Sequence, residues 1–185
     1  MRAFAFIDLC GFTDFVDAHG DREAVVELRA LRSAVRDVAP LCGVRVDKWL
    51  GDGVMLVSPE AEPVVDAVLG IQEKFRRVSR LELRAGIASG PVILLEGDDY
   101  VGRSVNLASR LCDLAEAGQV LAAAEGIDLP EGVVVVDETL VAVRGMASDV
   151  LTLGLATEQG SVSAGRVLRS IVGDLTKPVR NFRSH

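Results

Sequence analysis

The sequence predicts an α+β domain on the split βαβ, ferredoxin-like plan, extended by a further helix and strands toward its C-terminus. Three observations carry that expectation. An apolar run at 2–8 gives way at once to helical periodicity reaching residue 39. Two strand-like runs meet at Gly51-Asp52-Gly53, and a second helix opened by Pro63 leads back into strand-like sequence near residue 81. The resulting β-α-β-β-α-β order defines the plan.

Residues 2–8 (RAFAFID) are nearly all apolar until Asp8 and read as a strand covered on both faces. Residues 12–39 read as helical: Phe12, Phe15 and Val16 begin a first turn, Gly20-Asp21 makes a cap, and Val25, Val26, Leu28, Leu31, Val35 and Val38 recur at helical spacing. Runs at 43–49 and 53–58 form a hairpin across the Gly-Asp-Gly turn. The helix from Pro63 to about Arg77 carries Val64, Val65, Val68, Leu69, Ile71 and Phe75 as its apolar stripe. Strands at 81–88 and 91–96 are expected on either side of Ser89-Gly90-Pro91. A Gly-Asp-Asp loop precedes a helix at about 102–116, and a strand runs from Gly118 to Ala122. Val-rich strand pieces follow near 132–137, 140–144 and 149–154, then a helix at about 163–173 and a basic tail expected to be poorly ordered.

At 185 residues the chain suits one domain, with a core of Val, Leu, Ala and Ile because aromatics are scarce. A balance of 20 basic against 27 acidic residues, net −7, argues against a general nucleic-acid binder. It leaves room for a nucleotide site, where local cations or metal override the global charge. Cys10, Cys42 and Cys112 form no CxxC pair, which favours a reducing, cytoplasmic setting. His19 and His185 are too few and too far apart for a histidine metal site. No leader is expected before the first strand, and no segment approaches the ~20 apolar residues of a membrane span.

Two aspartates have no evident structural task. Asp8 ends an apolar strand, where a bare carboxylate is costly unless paired. Asp52 sits at a turn that pushes it outward. Neighbouring strands would bring both carboxylates to one point, where a divalent cation is the natural partner. The plainer alternative makes Asp8 a helix cap and Asp52 an ordinary turn residue. Asn106 and Arg110, four apart, share one helix face, which taken alone reads as solvated surface.

Residues 6–13 (FIDLCGFT), 48–53 (KWLGDG) and 102–110 (GRSVNLASR) together resemble the motifs of class III nucleotidyl cyclases in order and separation. The resemblance covers roughly residues 3–155, and it marks 1–158 as a cyclase catalytic domain with 159–185 as a C-terminal helix and tail. It implies a cyclase-type (polymerase-palm) core, a head-to-tail homodimer, and conversion of ATP to cyclic AMP and pyrophosphate, the alternatives being cyclic GMP formation or a catalytically weak nucleotide-binding or regulatory dimer of the same fold. By the same resemblance, Asp8 and Asp52 hold two Mg²⁺ or Mn²⁺ ions, assisted by the backbone of Ile7 or Leu9. Gly11, Phe12 and Thr13 present backbone N–H groups to phosphate. Asn106 orients the ribose, and Arg110 stabilises charge on the α-phosphate.

Lys48 and Asp99, or else Asp98, would read the base. Adenine offers an acceptor at N1 and a donor at N6, matching a lysine and an aspartate, whereas guanine reverses both. Arg84 and Arg144 fall where the family carries phosphate-contacting cations, although exposed strand-end arginines are routine. Each site is expected to draw Asp8, Asp52 and Arg84 from one protomer, and Lys48, Asp99, Asn106, Arg110 and Arg144 from the other. The chain departs from the family in the segment after Gly90, which is short where the family carries its dimerisation arm.

Overall fold

A computed structural model describes residues 1–95 and 99–158. Its elements are β1 (Arg2–Leu9), α1 (Phe12–His19), α2 (Asp21–Val38), β2 (Arg45–Leu50), β3 (Gly53–Ser58), α3 (Glu62–Arg76), β4 (Leu83–Gly90), β5 (Ile93–Leu94), β6 (Tyr100–Val101), α4 (Arg103–Leu114), β7 (Val120–Ala123), β8 (Val133–Val141) and β9 (Val150–Thr157). Among the described residues, seven strands form one sheet in the order β2-β3-β1-β4-β7-β9-β8, and β5 pairs with β6 separately. The first four strands reproduce the order expected of the split βαβ plan. Among the described residues, only the β4–β7 pairing is parallel.

The two-residue period of β1 divides the molecule. Ala3, Ala5, Ile7 and Leu9 enter a core built with Leu31, Ala34 and Val35 of α2 and with Val64, Val68 and Ile71 of α3. Phe4 enters a second core with Leu107, Ala108 and Leu111 of α4. By the same alternation, Phe6 and Asp8 project toward the α4 face. β4 follows suit: Leu83, Ala85 and Ile87 belong to the first core and Ala88 to the second, so Arg84 and Gly86 also look toward α4.

Gly86 brings α4 onto the sheet. A Cβ at this position would lie 2.2 Å from the Ala108 carbonyl oxygen and 2.2 Å from the Cys112 amide nitrogen. Both are helix backbone atoms, so no side chain could swing aside. Glycine within a strand pattern marks a close backbone approach, and here the helix that approaches carries Asn106 and Arg110.

Three expected boundaries are corrected. The strand at 81–88 runs on through Gly90, because Gly90 pairs with Arg2 and completes the ladder along β1. The strand expected over 91–96 shrinks to Ile93–Leu94, paired with Tyr100 and Val101 outside the main sheet, since Pro91 lacks the N–H to continue the ladder. The pieces at 132–137 and 140–144 are one strand, β8, irregular between Val135 and Asp137, where Val136 lies outside the register. The helix expected at 163–173, the division after residue 158, and Asp98 lie outside the described residues. Among those described, no helix is long and apolar enough to cross a membrane.

Gly86→Ala is expected to destabilise the protein by about 3 kcal/mol or more, because backbone on backbone cannot relax cheaply. Thermal denaturation followed by circular dichroism should therefore fall by roughly 6–12 °C.

Candidate active site

The register of β1 places Asp8 directly between Gly53 on β3 and Arg84 on β4. Arg84 donates from both Nε (3.1 Å) and Nη2 (2.6 Å) to Asp8 Oδ2. Each side chain of this pair retains just over a quarter of its exposure. Asp8 is therefore no helix cap: α1 is capped by Gly11 without a side-chain bond. The third guanidinium nitrogen, Nη1, donates to the Asp113 carbonyl at 3.2 Å, tying Arg84 to the end of α4.

Asp52 stands in the two-residue turn between β2 and β3, next to Gly53 and so beside Asp8. Burial pushes its carboxyl above the ordinary aspartate range. A bond from its own backbone N–H opposes that, while the charge of Asp8 adds to the rise and that of Arg84 counters it. The two carboxylates thus share an electrostatic neighbourhood.

Gly53 contributes by what it lacks. A Cβ there would lie 2.9 Å from the Ile7 carbonyl oxygen and 3.3 Å from Asp8 Oδ1. Ile7 O and Asp8 Oδ1 therefore border one cradle that a side chain would fill. These are hard oxygen donors of the kind Mg²⁺ and Mn²⁺ prefer, and the former typically takes one or two carboxylates and completes its shell with water and phosphate. The residues present fit such ions. Among the described residues no three of His, Cys, Asp and Glu form a cage by themselves.

β1 ends at Leu9, and the chain turns through Gly11 at φ 68°, a left-handed conformation that favours glycine, before α1 opens at Phe12. The Phe12 and Thr13 amides thus stand in the first helical turn, where N–H groups lack intrahelical acceptors. A pocket of about 180 Å³ beside Asp8 is lined by Phe6, Ile7, Leu50, Gly53, Ser109, Cys112 and Asp113. Neither Asn106 nor Arg110 lines it. Both lie on the exposed side of α4, away from the buried face of Leu107, Ala108, Leu111 and Cys112. Arg110 Nη1 stands 3.3 Å from Asp113 Oδ2. Burial pushes the Cys112 thiol up to about 12, so it stays protonated beneath Arg84, whose carbonyl accepts its S–H at 3.6 Å.

Lys48 reaches the α4 face through a feature the sequence concealed. Val46 pairs with Leu56, but Lys48 pairs with Met55, so Asp47 is an extra residue in β2. A regular strand would set Lys48 opposite Val54, whose side chain belongs to the first core. The bulge transfers Lys48 to the other face and sets Trp49 against the first core. Lys48 Nζ then donates to Asp99 Oδ1 at 2.6 Å, and this bond holds the Asp99 carboxyl below its ordinary range. Buried Asp47 accepts from Arg45 at 2.8 Å, and Arg45 also donates to the Tyr100 hydroxyl at 3.2 Å. Arg45, Asp47 and Tyr100 were not singled out from sequence, since a bulge leaves no local signature there.

Arg144 is exposed in the β8–β9 connection. That connection meets the opposite end of α4 from Asp113, with Arg103 Nε 3.3 Å from Met146 Sδ. Within one chain, then, Arg144 lies far from Asp8, and the structure brings together Asp8, Asp52, Ile7 and Arg84 as one group and Lys48 with Asp99 as another.

No family model matches the chain. It is 39% identical over 121 residues to a pH-sensitive adenylate cyclase of Mycobacterium tuberculosis, covering 64% of this chain and 30% of that protein. It is 34% identical over 120 residues to an adenylate cyclase of Streptomyces coelicolor, covering 64% and 31%. The chain thus spans about a third of the length of these curated relatives. Among solved structures, an adenylyl cyclase from P. aeruginosa superposes with a TM-score of 0.73 at 26% identity, covering 85% of this chain and 94% of the other. The catalytic core of a rhodopsin-guanylyl cyclase with converted specificity, in complex with ATPαS, superposes at 0.74 with 25% identity, covering 84% and 94%. Its structural neighbours are adenylyl and guanylyl cyclases, and its α+β fold is that of class III nucleotidyl cyclase catalytic domains.

Gly53→Ala should place a methyl group against Ile7 O and cost about 1–3 kcal/mol. Chemical denaturation should show a lower midpoint with an unchanged slope, since the cost is local strain rather than an altered unfolded state.

Proposed function

We propose that this domain is an adenylyl cyclase that converts ATP to 3′,5′-cyclic AMP and pyrophosphate at sites shared between two copies of the chain arranged head to tail. The observation that carries the reading is the Lys48–Asp99 pair, a donor and an acceptor held side by side at 2.6 Å and re-aimed by the Asp47 bulge. They complement N1 and the N6 amino group of adenine, and a guanine would leave both mismatched, at about 1–3 kcal/mol for each unpaired group. The pair is exposed, so exchanging its mutual bond for bonds to a base costs little.

Asp8, Asp52 and the Ile7 carbonyl would hold two divalent ions, Mg²⁺ or Mn²⁺. When bound, such ions supply Lewis acidity toward the ribose 3′-hydroxyl and neutralise charge on the phosphates. The amides of Gly11, Phe12 and Thr13 face the polyphosphate at the start of α1. Asn106 holds the ribose in line, and Arg110 forks onto the α-phosphate where negative charge develops. Arg84 and Arg144 supply positive charge toward the β- and γ-phosphates. Asn106 and Arg110 sit outside the pocket beside Asp8, which supports a second copy as their source. The exposed apolar residues Ile93, Leu94, Leu95 and Val101, on and beside the β5–β6 arm, suit a contact between copies.

Purified protein with Mn²⁺ and ATP should yield cyclic AMP, with specific activity rising as protein concentration increases. Cyclic GMP from GTP as the main product would overturn the base assignment, and no cyclic nucleotide at high protein concentration would overturn the activity. Asp8→Ala and Asn106→Ala chains should each lose about 100-fold or more in rate. Mixed, they should regain activity, because a heterodimer keeps one intact site; heterodimers without activity would refute shared sites.

A further inference from the structure

We propose that Arg84 is an internal cation that competes with the divalent metal for Asp8, so that this arginine sets how much metal the site requires. The inference rests on the metal-ligand reading of Asp8 given above and goes beyond it. Arg84 places two N–H groups on the same carboxylate oxygen, Oδ2, at 2.6 and 3.1 Å. That is an end-on, charge-assisted grip on a lone-pair region a metal would use.

The grip is also anchored. Nη1 is held by the Asp113 carbonyl at the end of α4, and the strand pairing of Asp8 with Arg84 fixes the two backbones opposite each other. The guanidinium is thus braced against α4 as well as against Asp8. Gly86 allows that helix to sit close enough for its carbonyl to be reached.

Charge arithmetic points the same way. Asp8 and Asp52 together carry −2, and Arg84 reduces the local sum to −1. A unit positive charge ~4 Å from a divalent ion opposes binding by more than a factor of ten even in water-like dielectric. Asp8 Oδ1, facing the Gly53 cradle, accepts nothing from Arg84, so a metal arriving there meets a carboxylate already half engaged. Full coordination by Asp8 requires Arg84 to release Oδ2. Released, it keeps its hold on the Asp113 carbonyl and becomes a cation available to an incoming anion.

The test is Mn²⁺ binding to protein without nucleotide, read from the electron paramagnetic resonance signal of free Mn²⁺, in the wild type, Arg84→Gln, Arg84→Lys, Asp8→Asn and the Arg84→Gln/Asp8→Asn double variant. Melting curves confirm that each is folded. Arg84→Gln should bind Mn²⁺ about tenfold more tightly than wild type. Arg84→Lys, which keeps the charge but loses the fork, should fall between the two, and the double variant should lose the gain. Should Arg84→Gln fail to fold, Arg84→Lys carries the test by itself. If Asp8→Asn weakens binding while neither Arg84 variant strengthens it, competition is overturned and the metal-ligand reading stands. If Asp8→Asn leaves binding unchanged, that reading fails and the present inference falls with it.

Discussion

β1 is hydrogen-bonded on both sides, to β3 and to β4, and nearly everything of functional interest follows from that double register. The ladder sets Asp8 against Gly53 on one flank and Arg84 on the other. Alternation along the strand sends Ile7 into the α2–α3 core and Asp8 to the α4 face. A slip of one residue would bury the carboxylate among aliphatic side chains and turn Ile7 toward the pocket. The apolar residues of β1 thus hold the position of its one acidic residue.

Glycines do much of the remaining positioning, by permitting close approach. Gly86 lets α4 rest its backbone on β4, which carries Asp113 to Arg84 and sets the exposed face with Asn106 and Arg110 at a fixed distance from the sheet. Gly53 keeps the space over Ile7 O and Asp8 Oδ1 clear. Gly11 turns the chain from β1 into α1 within two residues, placing the first helical amides near the end of the strand that holds Asp8.

Arg84 shows how a residue's charge is legible in the sequence while its partner is not. Its strand position suggested a phosphate contact, and its charge suits that. The fold gives it three hydrogen bonds within the chain, two to Asp8 Oδ2 and one to the Asp113 carbonyl. Arg144, by contrast, makes no ion pair among the described residues and belongs to the far end of α4, where sequence spacing alone could not put it.

The sequence by itself determined the split βαβ order, the hairpin turn that carries Asp52, the strand-to-helix turn at Gly11, and the pairing of Asn106 with Arg110 on one helix face. These are local consequences of side-chain period and turn chemistry, legible wherever neighbours in sequence are neighbours in space. Tertiary structure alone decided that Arg84 grips Asp8, that a bulge at Asp47 turns Lys48 toward Asp99, and that β4 runs on to Gly90. Each depends on which strand lies alongside and in what register. That is settled by core packing between residues tens of positions apart, about which no local window carries information.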